Sequence, residues 1–435
     1  MTQRRRPRRP ARRARRRFGR RAFLAGLGVS ACAAGAFFLR RGTQAAASTP
    51  EAPGPAPIAP DPALPAGEWR AVWVSYLEWA ELDFSSEEAF RAGAAQLLDN
   101  CLSLGLNTVI AQVRPFGDAL YPSAIFPWSS VCTGTQGLDP GFDPLAVLVE
   151  EAHARGLRLE AWLNPYRLAL NDTVPGAFSA DSLAAVHPEW VKQAAGGQYL
   201  DPSRPDVRDC IAAGVQEILD GYAVDGIHLD DYFYPTTDEA FDAAEYAAAG
   251  TDLSLEDWRR ENVNALVRQL YQLVHTGGRT AGAVPLGISP QGNNDNNYAQ
   301  QYSDAALWLS TPGYIDYAMP QVYWGYGYTT GSGSTRFAFE NITAEWLALP
   351  RAEGVALYFG LGAYRIGDGD GGNYDHAQDQ WQTGRNLADM VTTLRGAGAD
   401  GFGLYRSDFL LRNSAWPQLA QAECAALTEV LHTAG

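Results

Sequence analysis

Val224-Asp225-Gly226-Ile227-His228-Leu229-Asp230-Asp231-Tyr232-Phe233-Tyr234-Pro235 is a short apolar strand that runs straight into two adjacent carboxylates, then into aromatic rings and a proline. Two neighbouring carboxylates repel each other, and a strand end lined with rings raises the pKa of one of them. That arrangement suits acid/base chemistry on an uncharged polymer such as a glycan. The plainer alternative is a pair of solvated aspartates capping a loop. What surrounds the stretch decides between them.

Outward in both directions the chain repeats one rhythm: short apolar strand, loop, amphipathic helix. Before it, strands are predicted at 69–76, 106–113 and 157–163, with helices at 87–104, 144–155 and 205–222. After it, strands are predicted at 284–289, 315–322, 355–361 and 401–404. Helices are predicted at 255–275, 298–309, 338–349, 377–395 and 416–431. Strands alternating with helices imply parallel strands joined by helical crossovers. Eight such units without a linker-like break predict a single α/β domain over residues 67–435, a closed (β/α)8 TIM barrel. No Gly-rich phosphate fingerprint follows the first strand, which argues against a dinucleotide-binding sheet.

In such a barrel the strand-to-helix loops gather on one face and carry the active site. The strand ends are polar and aromatic throughout: Gln112-Val113-Arg114, Asn164-Pro165-Tyr166-Arg167, Asp230-Asp231-Tyr232, Ser289-Pro290-Gln291, Gln321-Val322-Tyr323-Trp324, Tyr364-Arg365 and Tyr405-Arg406. Asp230 and Asp231 are the catalytic candidates. Arg114, Asn164, Tyr166, Arg167, Tyr232, Gln321, Tyr323, Trp324 and Arg406 are the candidates for substrate binding, the rings as sugar platforms. His228, inside the strand, reads as a hydrogen-bonded core histidine.

Several of these stretches resemble the bacterial glycosyl-hydrolase-like family 10. They are Arg70-Ala71-Val72-Trp73-Val74, Gln112-Val113-Arg114-Pro115-Phe116-Gly117-Asp118-Ala119-Leu120-Tyr121-Pro122 and Trp162-Leu163-Asn164-Pro165-Tyr166-Arg167. His187-Pro188-Glu189-Trp190-Val191, the stretch from Asp225 to Pro235, Trp258-Arg259-Arg260-Glu261-Asn262-Val263 and Ile315-Asp316-Tyr317-Ala318-Met319-Pro320-Gln321-Val322-Tyr323-Trp324 continue it. The resemblance spans nearly the whole body. It implies a (β/α)8 barrel and glycosidase activity on a cell-wall polymer, with peptidoglycan glycan strands as the expected substrate.

Two catalytic schemes are open at this level. A conventional glycosidase needs two carboxyl groups about 5 Å or about 6.5–9.5 Å apart. Adjacent strand residues point to opposite faces unless the strand end bends, so Asp295 or Glu160 would be the distant partner, although Glu160 within its strand reads as buried and paired. In the other scheme the substrate's own N-acetyl group is the nucleophile, Asp231 the acid and Asp230 the residue that orients the amide. The arginines Arg114, Arg167, Arg365 and Arg406 sit at four strand ends. They either neutralise the aspartates or, as proposed above all for Arg114, grip the lactyl carboxylate of muramic acid.

Charge and composition narrow the partners. Residues 1–47 hold 14 Arg and no acidic residue, and the remainder holds 20 Lys and Arg against 49 Asp and Glu, a net charge of −29. So acidic a body disfavours nucleic acid. The basic head, with Arg20-Arg21-Ala22-Phe23-Leu24, an apolar run over 23–39 and Ala45-Ala46-Ala47, has the parts of a twin-arginine export signal. A lipid anchor at Cys32 or an uncleaved membrane anchor are its variants; each places the body outside the cytoplasmic membrane. The Pro- and Ala-rich stretch 48–66 reads as an extended tether. Cys101, Cys132, Cys210 and Cys424 are scattered, and free thiols are expected, with a Cys101–Cys424 bridge as the alternative. No zinc site and no cofactor are expected from six dispersed histidines. The loop 368–375, rich in Asp and Gly, reads as a polar loop rather than a calcium site, since it lacks the closing Glu. The competing functions are a non-hydrolytic glycan-binding barrel and a hydrolase of another exported polysaccharide.

Overall fold

The computed structural model describes residues 67–171, 174–276, 283–372 and 380–432. The basic head expected to be an export signal, Cys32, the expected tether and the end of the loop at 373–375 lie outside the described residues. Eight parallel strands close on themselves. They are β1 (Trp69–Val74), β2 (Thr108–Arg114), β3 (Arg158–Leu163), β4 (Gly226–Leu229), β5 (Leu286–Ile288), β6 in two pieces (Tyr317–Ala318 and Gln321–Val322), β7 (Ala356–Leu361) and β8 (Gly401–Leu404). Each pairs with the next, and β8 returns to β1 with Trp69 opposite Gly401 and Val72 opposite Leu404. The chain folds as the (β/α)8 TIM barrel read from the alternation.

Helices α1 (Glu87–Ser103), α2 (Pro144–Ala154), α3 (Pro205–Gly221), α4 (Leu255–Thr276), α5 (Ala305–Ser310), α6 (Phe339–Leu347), α7 (Asn386–Gly396) and α8 (Pro417–His432) follow β1 to β8 in turn. Local chemistry sets their starts. Ser86 and Asp143 cap α1 and α2 through side-chain oxygens that accept the N–H of Ala89 and Ala146, and Pro144 supplies a pre-set first turn. The helix expected over 298–309 is instead two, Asn294–Gln300 and α5, because Tyr302 takes a left-handed φ of 54° and Asp304 caps a new start. Of the helix expected over 377–395, residues 377–379 lie outside the described residues, Gln380–Gln382 form a 3-10 turn, and α7 starts at Asn386. A three-stranded antiparallel sheet not evident in the sequence fills the loop after β3: Arg167–Ala169, Val191–Ala194 and Gly197–Leu200.

Strand alternation divides the core in two. Outward residues such as Val72, Val74, Val109 and Ala111 join the helices in one large apolar cluster. Inward residues Trp69, Ala71, Trp73, Ile110, Trp162, Tyr317, Met319 and Tyr358 form a second, inside the barrel. So many large rings fit because small residues face them. Gly287 on β5 lies under the Tyr317 ring, where a Cβ would fall 1.8 Å from Cζ, and Gly226 on β4 faces Glu160 in the same way. Cys101, Cys132, Cys210 and Cys424 are free thiols, and the Cys101–Cys424 bridge is not formed.

Candidate active site

The tip of β4 bends, so its two aspartates turn to different neighbours. Asp230 leans towards β3 and accepts a hydrogen bond from Asn164 Nδ2 and another from the Tyr232 N–H at 3.2 Å. Asp231 leans towards β6 and accepts from Gln321 Nε2 at 3.0 Å; the same nitrogen donates to the Ser289 carbonyl at 2.9 Å. Both are buried, 5% and 9% exposed.

The two sides of the pair differ in what they ask of the proton. Behind Asp230 runs a directional chain of amides. The Tyr76 N–H donates to Gln112 Oε1 at 2.9 Å, Gln112 Nε2 to Asn164 Oδ1 at 2.5 Å, and Asn164 Nδ2 to Asp230. A string of aligned donors ending on a carboxylate favours its ionised form. Burial raises the Asp230 pKa, while Arg167, the Tyr232 N–H and Asn164 pull it back. Among the described residues no cation pairs with Asp231. Burial and the adjacent Asp230 charge push it up to about 7, and the Gln321 hydrogen bond only moderates the rise. Within the pair, Asp231 is the member pushed up to about 7, while the donors and Arg167 around Asp230 act in favour of its charged form.

Arg167 is the cation on this face beside Asp230. Its Nε donates to the Pro115 carbonyl at 3.3 Å and its Nη2 to Asn164 Oδ1 at 3.2 Å. Its guanidinium lies 4.8 Å from the centre of the Phe116 ring and 5.3 Å from that of Tyr232. Tyr232 is 38% exposed and stands on the rim. Across the mouth Tyr323 is half-buried and lies parallel to Tyr405, with centroids 5.5 Å apart; Tyr364 meets Tyr323 edge-on at the same distance. Trp324 stacks on Phe337 at 5.1 Å, beside Gly292.

Two expected substrate residues stand elsewhere, and a third is already engaged. The β2–β3 register slips between Gln112 and Arg114, so Arg114 pairs with Leu163, an outward position. This bulge turns Arg114 away from the mouth. It is buried against the Phe126 ring at 4.6 Å, with its guanidinium nitrogens unpaired. The placement of Arg114 beside the aspartates is thereby corrected. Tyr166 is also corrected: it is fully buried in the outer core, two residues past Asn164 and behind the turn at Pro165. Arg406 stays near the mouth but is held in a buried ion pair with Glu78, which also accepts from Ser75 at the β1 tip. Arg365 donates to the carbonyls of Tyr323 and Gly369.

Neither distant carboxylate joins the pair. Asp295 lies on the surface helix Asn294–Gln300 and pairs with Arg336. Glu160 lies deep in the barrel and accepts the Tyr317 hydroxyl, not an arginine. There the donors line up from Trp73 Nε1 to His228 Nε2 at 3.2 Å, from His228 Nδ1 to the Tyr317 oxygen at 2.8 Å, and from Tyr317 to Glu160. Burial drives His228 down to about 3 and Glu160 up to about 8, so both are neutral at pH 7. In the loop 368–372, Asp370 accepts the Gly325 N–H at 2.6 Å and Asp368 the Trp416 indole at 2.8 Å. Among the described residues no three His, Cys, Asp or Glu side chains converge to hold a metal ion.

Residues not among the candidates named from the sequence complete the site. Tyr76 starts the amide chain, and Tyr405 backs Tyr323; Tyr405 directly follows β8, which was its available signal. Gln301, in the amide orientation that satisfies its neighbours, donates to the Asp231 carbonyl at 2.8 Å and accepts from Gln291 at 2.7 Å.

The sequence model of the family described as glycosyl hydrolase-like 10 matches residues 68–381. Glycosyl hydrolase YngK of Bacillus subtilis is 37% identical over 319 residues, covering 69% of this chain; the chain spans 61% of that relative's length. Glycosyl hydrolase DigH of Escherichia coli K12 is 32% identical over 394 residues, covering 81% of this chain and 85% of its own. The solved glycoside hydrolase domain of PgaB (BpsB) from Bordetella bronchiseptica has the same fold, with a TM-score of 0.55 at 16% identity over 84% of this chain and 99% of that domain.

Proposed function

The chain belongs to the glycosyl hydrolase-like 10 family, and from that premise we propose that it is an exported glycosidase of peptidoglycan glycan strands. The observation that carries the reading is the division of labour within the aspartate pair. Asp231, raised to about 7, keeps a proton to give, and Asp230, fed by the amide chain and flanked by Arg167, is the member whose neighbours favour the charged form. An acid tuned close to neutrality is what glycosidic cleavage requires.

With Asp295 and Glu160 placed elsewhere, substrate assistance is the scheme this geometry favours. The carbonyl oxygen of the sugar's 2-acetamido group attacks C1 as the bond from C1 to the leaving oxygen breaks. Asp231 gives its proton to that oxygen, and Asp230 accepts the amide N–H and steadies the positive oxazolinium. Water then adds to C1, losing its proton to Asp231, and the acetamido group is restored with the anomeric configuration retained. Tyr232, Tyr323 and Tyr405 offer ring faces for neighbouring sugars.

Release of reducing ends from purified glycan strands tests the proposal. Wild type should release them with retention, read by NMR of the fresh product. Asp230→Asn and Asp231→Asn should abolish release while still binding the strand. A wild-type protein that binds strands and cleaves no glycan in a panel would instead be a binding module. Inversion at C1 would rule out the acetamido nucleophile.

Export rests on the head of the chain alone: Arg20-Arg21, the apolar run over 23–39 and the tether over 48–66. Fractionation of cells expressing the full chain, with Arg20 and Arg21 changed to Lys, checks it. Unchanged export of the variant would exclude the twin-arginine route.

A further inference from the structure

Arg167 is held rigidly and left under-used. It opens the accessory strand Arg167–Ala169 and is fixed in register against Tyr199 of Gly197–Leu200. A guanidinium has five N–H donors. Arg167 spends one on the Pro115 carbonyl and one on the Asn164 amide, both uncharged. Three remain, all on Nη1 and Nη2, the edge that grips a carboxylate bidentately. Among the described residues no carboxylate lies within ion-pair distance of it. Arg91, Arg155, Arg259, Arg336, Arg395 and Arg406 each meet one. Arg114 and Arg365 also lack one, but Arg114 is turned into the outer core and Arg365 is spent on carbonyls, whereas Arg167 stands between Phe116 and the exposed Tyr232 at the mouth.

We infer that Arg167 binds a carboxylate carried by the substrate, the free lactyl group of an N-acetylmuramic acid unit seated next to Tyr232. This rests on the glycan-strand reading above and deepens it. The lactyl carboxylate would take the N–H groups that Asp230 does not reach, and a strand made only of N-acetylglucosamine offers no such group. Such a contact also offsets the repulsion between an anionic polymer and an acidic protein.

The test is binding, so that it stands apart from turnover. The Asp231→Asn protein is titrated with an oligosaccharide of alternating N-acetylglucosamine and N-acetylmuramic acid, once with free lactyl carboxylates and once with these capped as methylamides. The free form should bind about ten-fold more tightly, the size of one charge-assisted contact. Adding Arg167→Met should erase that preference, and Arg167→Lys should restore part of it; melting curves confirm that each variant is folded. Equal affinity for the two forms, or a preference that survives Arg167→Met, overturns the assignment. Turnover of both forms by wild type at equal rates also overturns it, while leaving the glycosidase reading intact. If neither form binds and an N-acetylglucosamine oligomer does, both readings fall.

Discussion

Two carboxyl groups in this barrel are driven up to similar values, and only one of them is a candidate acid. Glu160 reaches about 8 inside the barrel and Asp231 about 7 at its mouth, each mainly through burial. Glu160 is fully buried, accepts the Tyr317 hydroxyl and lies against Gly226, with no approach for a sugar. Asp231 shares its strand tip with a second carboxyl group whose donors and cation favour its charge, and it faces the rim of tyrosines. A displaced pKa therefore marks burial first; access and a partner of opposite duty make it chemistry.

The sharpest way to break this comparison is to neutralise both groups in turn. Asp231→Asn should lower kcat by about 10³-fold or more. Glu160→Gln, an amide in place of an already neutral acid, should leave kcat/KM within about three-fold. Comparable losses in the two would place the acid in the interior. Next in size is Asn164→Ala, which cuts the amide chain from Asp230. We expect kcat to fall about 10- to 100-fold with KM little changed, and the acid limb of the pH profile to move upward as Asp230 becomes easier to protonate. An unmoved limb would mean that Asn164 merely packs.

Arg406→Met probes stability instead. It leaves Glu78 as a buried charge without its cation and should cost about 3 kcal/mol in denaturant unfolding. The smallest expected effect follows from linkage. Folding raises the Asp231 pKa from 3.8 to about 7, so the folded chain holds a proton that the unfolded chain releases between those values. That stabilisation is complete below about pH 4 and is lost as the pH climbs through 7. Asp231→Asn should therefore melt about 2–4 °C above wild type at pH 8, with the gap closing in acid.

How far the sequence could be read follows the range of the forces involved. Alternation of strand and helix is local, so all eight units were legible. The accessory strands, such as Arg167–Ala169, are about as short as β5 but lack the amphipathic helices that set off each barrel strand, and the accessory sheet went unseen. Asp230, Asp231, Asn164, Gln321 and Tyr232 lie where strand ends put them. Arg114 does not, because a one-residue slip against β3 reverses the face of everything after it. Arg406 was legible as a strand-end arginine, whereas its engagement with Glu78, 328 residues away, was not.

The fit of Gly287 beneath Tyr317 has an evolutionary consequence. A methyl group on β5 would collide with the ring, and removing the ring would open a cavity while stripping His228 and Glu160 of their shared hydroxyl. Neither position can drift alone. Related chains should exchange the two together or keep both, so a lineage in which Gly287 has gained a side chain is where a rebuilt interior, with a different partner for His228, is to be sought.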